Sequence, residues 1–207
     1  MVVILSEAKN PVIFSLPYDG ILRRFAPQND RKRLIGANRT VRFFSKEYMK
    51  IRIICVGKLK ERYWHEAQAE YAKRLSRYCT LEIVECADEK TPERASQREN
   101  EEILRKEGER ILSKIQPGDY VIAMAIRGKK YTSETFAAHL EEKLVGAGGN
   151  VSLIIGGSLG LSPAVLARAK EQISFSDLTF PHQLMRILLL EQTYRAFRIL
   201  HNEPYHK

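Results

Sequence analysis

A glycine-rich stretch at residues 153–163, LIIGGSLGLSP, contains the residue types that point most directly to ligand binding. An apolar run leads into Gly156 and Gly157, and Gly160 follows after two further residues. A helix is predicted directly afterwards, because Ser162 is a favoured N-cap residue and a proline follows it at the first helical position. A strand, a glycine loop and a helix in this order can cradle a phosphate group or a nucleotide cofactor.

The glycine loop matches neither of the common phosphate-binding motifs. A dinucleotide fingerprint reads GxGxxG after the first strand, with an acidic residue about 20 positions later, and this chain has neither feature. A P-loop places a lysine before its final serine or threonine, whereas Leu161 precedes Ser162 here. The loop by itself therefore fits a nucleotide pocket and a plain strand-to-helix turn equally well.

The elements that must position this loop alternate between strand and helix patterns from residue 49 onward. Apolar runs predict strands at 51–56, 81–86, 120–126 and 151–155, and a short fifth strand within 173–180. Apolar residues at helical spacing predict helices at 61–78, 93–115, 133–144, 163–172 and 181–200. A turn is predicted at Arg127-Gly128. This alternation predicts an α/β fold with an open, mostly parallel sheet and helices on both faces.

The last predicted helix is apolar around most of its circumference. Its apolar residues include Leu184, Met185, Ile187, Leu188, Leu189, Leu190, Tyr194 and Phe197. One face of a sheet cannot cover such a helix, so a second surface must cover the rest of it. The sequence therefore predicts a subunit interface, most simply that of a twofold homodimer.

Composition favours a protein of the cytoplasm with an anionic partner. The net charge is +9, which favours nucleic acid, although residues 1–48 alone carry nine basic and four acidic side chains and so contribute +5. No apolar run reaches the roughly 18 residues that would cross a bilayer, and the N-terminus lacks the pattern of a signal peptide. The three cysteines form no CxxC pair and are expected to be buried hydrophobic residues.

Residues 1–48 differ in character from the rest of the chain. Prolines and an Asp19-Gly20 pair interrupt every periodic pattern, so this segment is expected to be an extension outside the fold. It is interpreted either as a disordered or wrongly assigned start that precedes an original Met49, which we favour, or as a basic arm that holds nucleic acid. Residues 49–207 form one predicted domain.

Three motifs in the second half of the chain resemble those of a known family. IIGGSLGLSP, LTFPHQLMRILLLEQTYRAF and the terminal NEPYHK, with KIRIICVGKLKERYW near residue 50, look like the bacterial ribosomal large-subunit pseudouridine methyltransferase H family. This family is a branch of the knotted SPOUT methyltransferases. The resemblance covers 49–207 and implies an S-adenosylmethionine-dependent enzyme that methylates N3 of a pseudouridine in 23S rRNA. It also implies a homodimer, a deep C-terminal trefoil knot and no membrane or metal.

The resemblance assigns a cofactor pocket residue by residue. The expected pocket residues are Met124, Gly156, Phe175, Ser176, Asp177, Leu178, Thr179 and Phe180. Position 124 is usually leucine in the family, and methionine conserves its volume. An adenine ring needs a flat apolar slot with a few backbone hydrogen bonds, and glycine allows the backbone to approach a ligand closely.

The resemblance and the chemistry of methyl transfer to an imide nitrogen together select candidate catalytic residues. The N3 proton must be lost, so a base or a polarising group is expected. The candidates are His206, Tyr205, Arg195 and His182, while His201 lacks the support of a family motif. A role for His182 as a plain helix-start residue is an equally good interpretation.

Three arginines of the last helix, Arg186, Arg195 and Arg198, have two interpretations. Arg195 can pair with Glu191 one turn earlier, or at least one of the three can contact RNA phosphate, which we favour. Two other functions are consistent with parts of the sequence. A non-enzymatic RNA-binding protein would not need the glycine pocket, and a small-molecule methyltransferase would not need the basic helix.

Overall fold

The computed structural model describes residues 2–4, 12–14 and 48–205. The chain divides into two compact units, with the boundary between Phe44 and Ser45. In the first unit, strands β1 (Val2–Ile4) and β2 (Val12–Phe14) pair with each other in antiparallel register, an element that the sequence pattern did not predict. The division of the chain at residue 49 and the placement of 1–48 outside the fold stay predictions.

The second unit is built on one five-stranded sheet. Its strands are β3 (Lys50–Val56), β4 (Thr80–Cys86), β5 (Tyr120–Lys130), β6 (Asn150–Ile155) and β7 (Glu171–Ser174). They lie in the order β4-β3-β6-β5-β7, and every neighbouring pair is parallel. The open parallel sheet that the sequence predicts is therefore confirmed.

Five helices cover the two faces of this sheet. They are α1 (Arg62–Leu75), α2 (Gln97–Leu112), α3 (Ser133–Gly146), α4 (Pro163–Arg168) and α5 (His182–Leu200). Strand side chains alternate between two cores: Ile53 packs on the side of α1, α3 and α5, and Ile54 on the side of α2 and α4. The α/β class with helices on both faces is thus confirmed, and the trefoil knot stays a prediction.

The N-cap predicted at Ser162 is present and starts α4. Its hydroxyl accepts a hydrogen bond from the Val165 amide at 3.3 Å, and Pro163 occupies the first helical turn. The helix ends at Arg168 and not near residue 172. It stops early because Glu171–Ser174 forms β7, which pairs with β5 and begins before the predicted fifth strand.

The turn predicted at Arg127-Gly128 is wrong, because β5 continues through it to Lys130. Met124 and Lys129 both lie opposite Ile173 of β7, so the residues between them form a bulge. A Cβ atom at Gly128 would come within 2.5 Å of the Ile173 carbonyl carbon. The glycine therefore permits a close approach of two strands and does not reverse the chain.

Candidate functional site

A cleft of about 580 Å³ opens at the carboxyl ends of β4, β3 and β6. This is the edge at which open parallel sheets bind ligands. Its wall is formed by the end of β3, the segment after β4, helix α2, the glycine loop and the start of α5. Its lining residues include Asp88, Glu89, Asn100, Glu107, Gly157 and His182.

The glycine loop closes on itself at the middle of this edge. Gly157 and Gly160 form an isolated β-bridge, in which the Gly160 amide donates to the Gly157 carbonyl at 3.1 Å. A Cβ atom at Gly156 would lie 2.2 Å from the Gly160 carbonyl oxygen. The α-carbon of Gly156 thus faces the loop's own backbone. This close contact alone requires glycine at position 156, whether or not a ligand binds.

The buried carboxylate of Glu107 packs against the other side of the loop. Glu107 is 3% exposed, and its Oε1 accepts a hydrogen bond from the Glu89 amide at 3.0 Å. Its Oε2 has no hydrogen-bond partner within residues 48–205, and a Cβ atom at Gly157 would lie 2.7 Å from it. Burial raises the pKa of Glu107, and the charges of Asp88 and Glu89 act in the same direction.

His182 lines the same cleft from the first residue of α5. Its ring packs over Gly57, where a Cβ atom would come within 2.9 Å of Nε2 and where φ is +83°. Burial lowers the pKa of His182, and the positive charge of Arg186 lowers it further. The imidazole is therefore neutral at pH 7.

Arg186 lies one turn further along α5 and links this helix to the segment beneath the His182 ring. It is fully buried; its Nη2 donates to the Gly57 carbonyl at 2.7 Å and its Nη1 donates to Glu85 at 2.5 Å. A phosphate contact by this arginine does not fit a side chain with no exposed surface. Arg198 forms an ion pair with Glu203 at 2.5 Å, so its positive charge is partly neutralised within the chain.

The residues expected to hold the cofactor lie over the other half of the edge, at the ends of β5 and β7. Met124 is buried at the end of the regular part of β5, in the same core as Ile173. Phe175 is half-buried and packs edge-on against Phe136 at a centroid distance of 5.7 Å. These two side chains supply the apolar part that an adenine slot requires.

The segment 176–180 keeps most of its backbone groups free of internal hydrogen bonds. In the part of the chain that the structure describes, the Ser176 carbonyl accepts from the Ser174 hydroxyl at 2.8 Å, and the Ser176 hydroxyl accepts from the Leu178 amide at 2.9 Å. Asp177 pairs with Lys130 through its side chain. The remaining backbone donors and acceptors can serve a ligand, so the predicted pocket residues fit an adenosyl group.

The other predicted catalytic residues gather at the far end of α5. Arg195 donates to Glu191 at 2.6 Å, which confirms the helix pair, and its guanidinium lies 4.8 Å from the centre of the Tyr205 ring. The Tyr205 hydroxyl donates to Glu191 at 3.3 Å. Burial raises the pKa of Tyr205 to about 12, and the charges of Tyr71 and Glu191 contribute to a smaller extent. His206 lies outside the described residues.

The structure does not bring the predicted catalytic residues together within one chain. His182 and Arg195 are 13 positions apart on one continuous helix. At a rise of about 1.5 Å per residue, they are separated by about 20 Å along the axis. His182 shares its cleft with Glu107, whereas Arg195 and Tyr205 form a second cluster.

Glu107 and Asn100 are cleft residues that the sequence analysis missed. The signal for Glu107 was present, because Ile103, Glu107 and Ile111 recur every four residues and so share one face of α2. An acid on the inward face of an otherwise charged helix indicates a buried carboxylate. Asn100 has no comparable signal, because a half-exposed asparagine near a helix start is common.

Residues 48–205 contain no group of three or more histidine, cysteine, aspartate or glutamate side chains that could hold a metal ion. Among the helices described, none is both long and apolar enough to span a bilayer.

Comparison with known proteins gives matches over most of the chain. The family described as "Predicted SPOUT methyltransferase" matches residues 49–206. The chain is 55% identical over 159 residues to ribosomal RNA large subunit methyltransferase H of Clostridium acetobutylicum, and 57% identical over 159 residues to that of Limosilactobacillus reuteri. Each match covers 77% of this chain and 100% of the relative.

Among solved structures, the chain matches that of a probable methyltransferase from Bordetella pertussis. It is 14% identical, with a TM-score of 0.42, and the match covers 72% of this chain and 95% of the other.

Proposed function

The chain belongs to the SPOUT methyltransferase family, and from this premise we propose that it is an S-adenosylmethionine-dependent enzyme that methylates N3 of a pseudouridine in 23S rRNA. The observation that carries the proposal is the match to relatives named ribosomal RNA large subunit methyltransferase H, which extends over their whole length at 55–57% identity. A substrate in the ribosome implies that the enzyme acts in the cytoplasm. The net charge of +9 suits a partner rich in phosphate.

The cofactor would be held at the ends of β5 and β7. Met124 and Phe175 would contact the adenine ring, and the backbone of 176–180 would supply its hydrogen bonds. When bound, the cofactor supplies a methyl group on a positively charged sulfur. The protein's main contribution is then to hold the acceptor nitrogen in line with that methyl group.

The candidate residues differ in protonation state, so each is suited to a different role. His182 is neutral at pH 7 and can accept a proton from an imide nitrogen. Tyr205, with a pKa of about 12, stays protonated at pH 7, so it is suited to donate a hydrogen bond and not to remove the proton. The charge of Arg195 is held in place by Glu191 and is suited to orient an anionic group. We propose that His206, next to Tyr205, belongs to this second cluster.

A homodimer is part of the proposal. Several apolar residues of α5 remain only half-buried in the single chain, among them Leu184, Ile187 and Leu188. A second copy packed on this helix would cover them. The distance of about 20 Å between His182 and Arg195 means that one base cannot contact both in one chain. An active site that uses both must therefore draw on two copies.

Calorimetric titration of the full chain with S-adenosylmethionine and transfer of a labelled methyl group test this function. We expect binding with micromolar affinity, and label in 23S rRNA of intact ribosomes or large subunits but not in free uridine. No cofactor binding would contradict a methyltransferase. Transfer to small uridines alone would instead favour a small-molecule enzyme.

A further inference from the structure

The cleft beside Glu107 contains hydrogen-bond acceptors without a partner in the described part of the chain. Within residues 48–205, Glu107 Oε2 and Asn100 Oδ1 are buried side-chain oxygens without a partner, and both residues line the cleft. Solvent does not reach either oxygen. An unpaired buried acceptor costs free energy, so a ligand that brings a donor to it recovers that cost.

The charges around the cleft exclude an anionic ligand. Asp88, Glu93 and Glu107 line it with Lys90, and a fourth acid, Glu89, is paired with Arg110. A phosphate group would meet several carboxylates at short range and would be repelled. The ligand must therefore be uncharged or positive, and it must present N–H or O–H groups.

The neutral ring of His182 adds a surface on which a planar group can stack. Single-stranded bases are commonly held between such rings and hydrogen-bonding side chains. A uracil-type base such as pseudouridine is uncharged, planar and carries ring N–H donors. The cleft and the expected cofactor residues also adjoin the same glycine loop, because Gly157 faces Glu107 and Met124 lies on β5, the strand next to β6.

We propose that this cleft receives the base to be methylated, and that Glu107 Oε2, on the wall formed by Gly157, accepts a hydrogen bond from one of its ring N–H groups. The inference rests on the proposed function and adds to it the place where the acceptor base binds. The cofactor's α-ammonium group is the other donor that could reach a buried carboxylate, and the experiment separates the two.

The variant Glu107→Gln tests the role of the carboxylate. Glutamine keeps the shape and can still accept the Glu89 amide through Oε1, but it presents an NH2 group in place of Oε2. We expect kcat/KM for ribosomes to fall by about 10- to 100-fold, the usual effect of losing a hydrogen bond to a charged group. The dissociation constant for S-adenosylmethionine should change by less than about threefold.

The matched control is Glu101→Gln, which changes an exposed acid on the same helix and should leave both quantities as in the wild type. Unchanged transfer in Glu107→Gln would overturn the inference. A tenfold weaker binding of S-adenosylmethionine would overturn it as well, because Glu107 would then serve the cofactor.

A second measurement uses the wild type alone and does not depend on how the variant folds. Heteronuclear NMR titrations that follow the histidine ring resonances are recorded with pseudouridine and with its analogue methylated at both ring nitrogens. We expect pseudouridine to bind at least about fivefold more tightly and to shift the ring resonances of His182. Equal binding of the two nucleosides, or no shift at His182, would overturn the inference.

Failure of this inference is distinguishable from failure of the proposed function. If the wild type transfers no methyl group to 23S rRNA, the function itself is wrong. If the wild type is active and Glu107→Gln is equally active, only the placement of the base is wrong.

Discussion

The carboxylate of Glu107 lies against the α-carbon of Gly157, so closely that a methyl group at that position would come within 2.7 Å of Oε2. The two residues belong to different elements, helix α2 and the glycine loop. Their contact closes one wall of the cleft and holds the only unpaired oxygen of Glu107 at the loop. The wall of the cleft at this loop is therefore completed by a residue 50 positions earlier in the sequence.

Gly157→Ala should disturb this contact with little harm to the fold. The carboxylate must move away, and we expect a loss of about 1 kcal/mol in unfolding free energy together with a roughly tenfold loss of methyl transfer. Gly118→Ala is the control, because a Cβ atom there has nothing within 4 Å. Chemical denaturation and a transfer assay measure the two effects. Wild-type transfer in Gly157→Ala would show that the position of Glu107 is unimportant.

Arg186→Met should strongly destabilise the protein. The change leaves the buried Gly57 carbonyl without its donor and Glu85 without its partner, so we expect a loss of about 3 kcal/mol in unfolding free energy. Arg105→Met, which removes an exposed arginine from solvent-screened pairs on α2, should cost far less. Urea denaturation compares them. Equal effects would contradict a structural role for Arg186.

His182 should make stability depend on pH in the mildly acidic range. Its pKa is lower in the folded than in the unfolded chain, so the unfolded chain binds the extra proton. Unfolding free energy should therefore fall as pH drops below about 6.5, the ordinary value for histidine. His182→Gln should show a shallower fall between pH 7 and 5 in denaturation curves. An unchanged slope would show that His182 titrates normally.

The pair Tyr205→Phe and Tyr205→Ala separates the hydroxyl from the ring. Phenylalanine keeps the ring beneath Arg195 and loses the hydroxyl's interactions with Glu191 and Tyr71, so we expect at least half of the wild-type transfer rate. Alanine frees Arg195 from the ring and should lower the rate about tenfold or more. Because the pKa of Tyr205 is about 12, the phenylalanine variant should keep the wild-type pH profile up to pH 10. Equal inactivity of both variants would instead assign catalysis to the hydroxyl.

Local patterns were sufficient to predict most of the fold. Strand and helix periods, and the N-cap at Ser162, depend on neighbours within a few residues, and the structure confirms them. The bulge in β5 was not predictable in this way. Gly128 reads as a turn residue in the sequence, and only the approach of Ile173 from another strand explains it.

The site was less predictable because its parts meet only in three dimensions. Sequence motifs grouped His182 with Arg195 and Tyr205, although a count of helical residues already separates His182 from Arg195 by about 20 Å. Glu107 lay in a run of charged residues, and only the recurrence of Ile103 and Ile111 around it marked it as inward-facing. The proposed binding of a base in the cleft rests on that carboxylate as well as on the glycines.

Nucleoside mass spectrometry of 23S rRNA, from cells with and without the gene, tests the central claim most directly. We predict that a pseudouridine methylated at N3 is present in the parent and absent from the deletion strain. It should return on expression of the wild-type gene and not of an empty vector. The same modification in both strains, or the loss of a methyl group from some other nucleoside, would contradict the account.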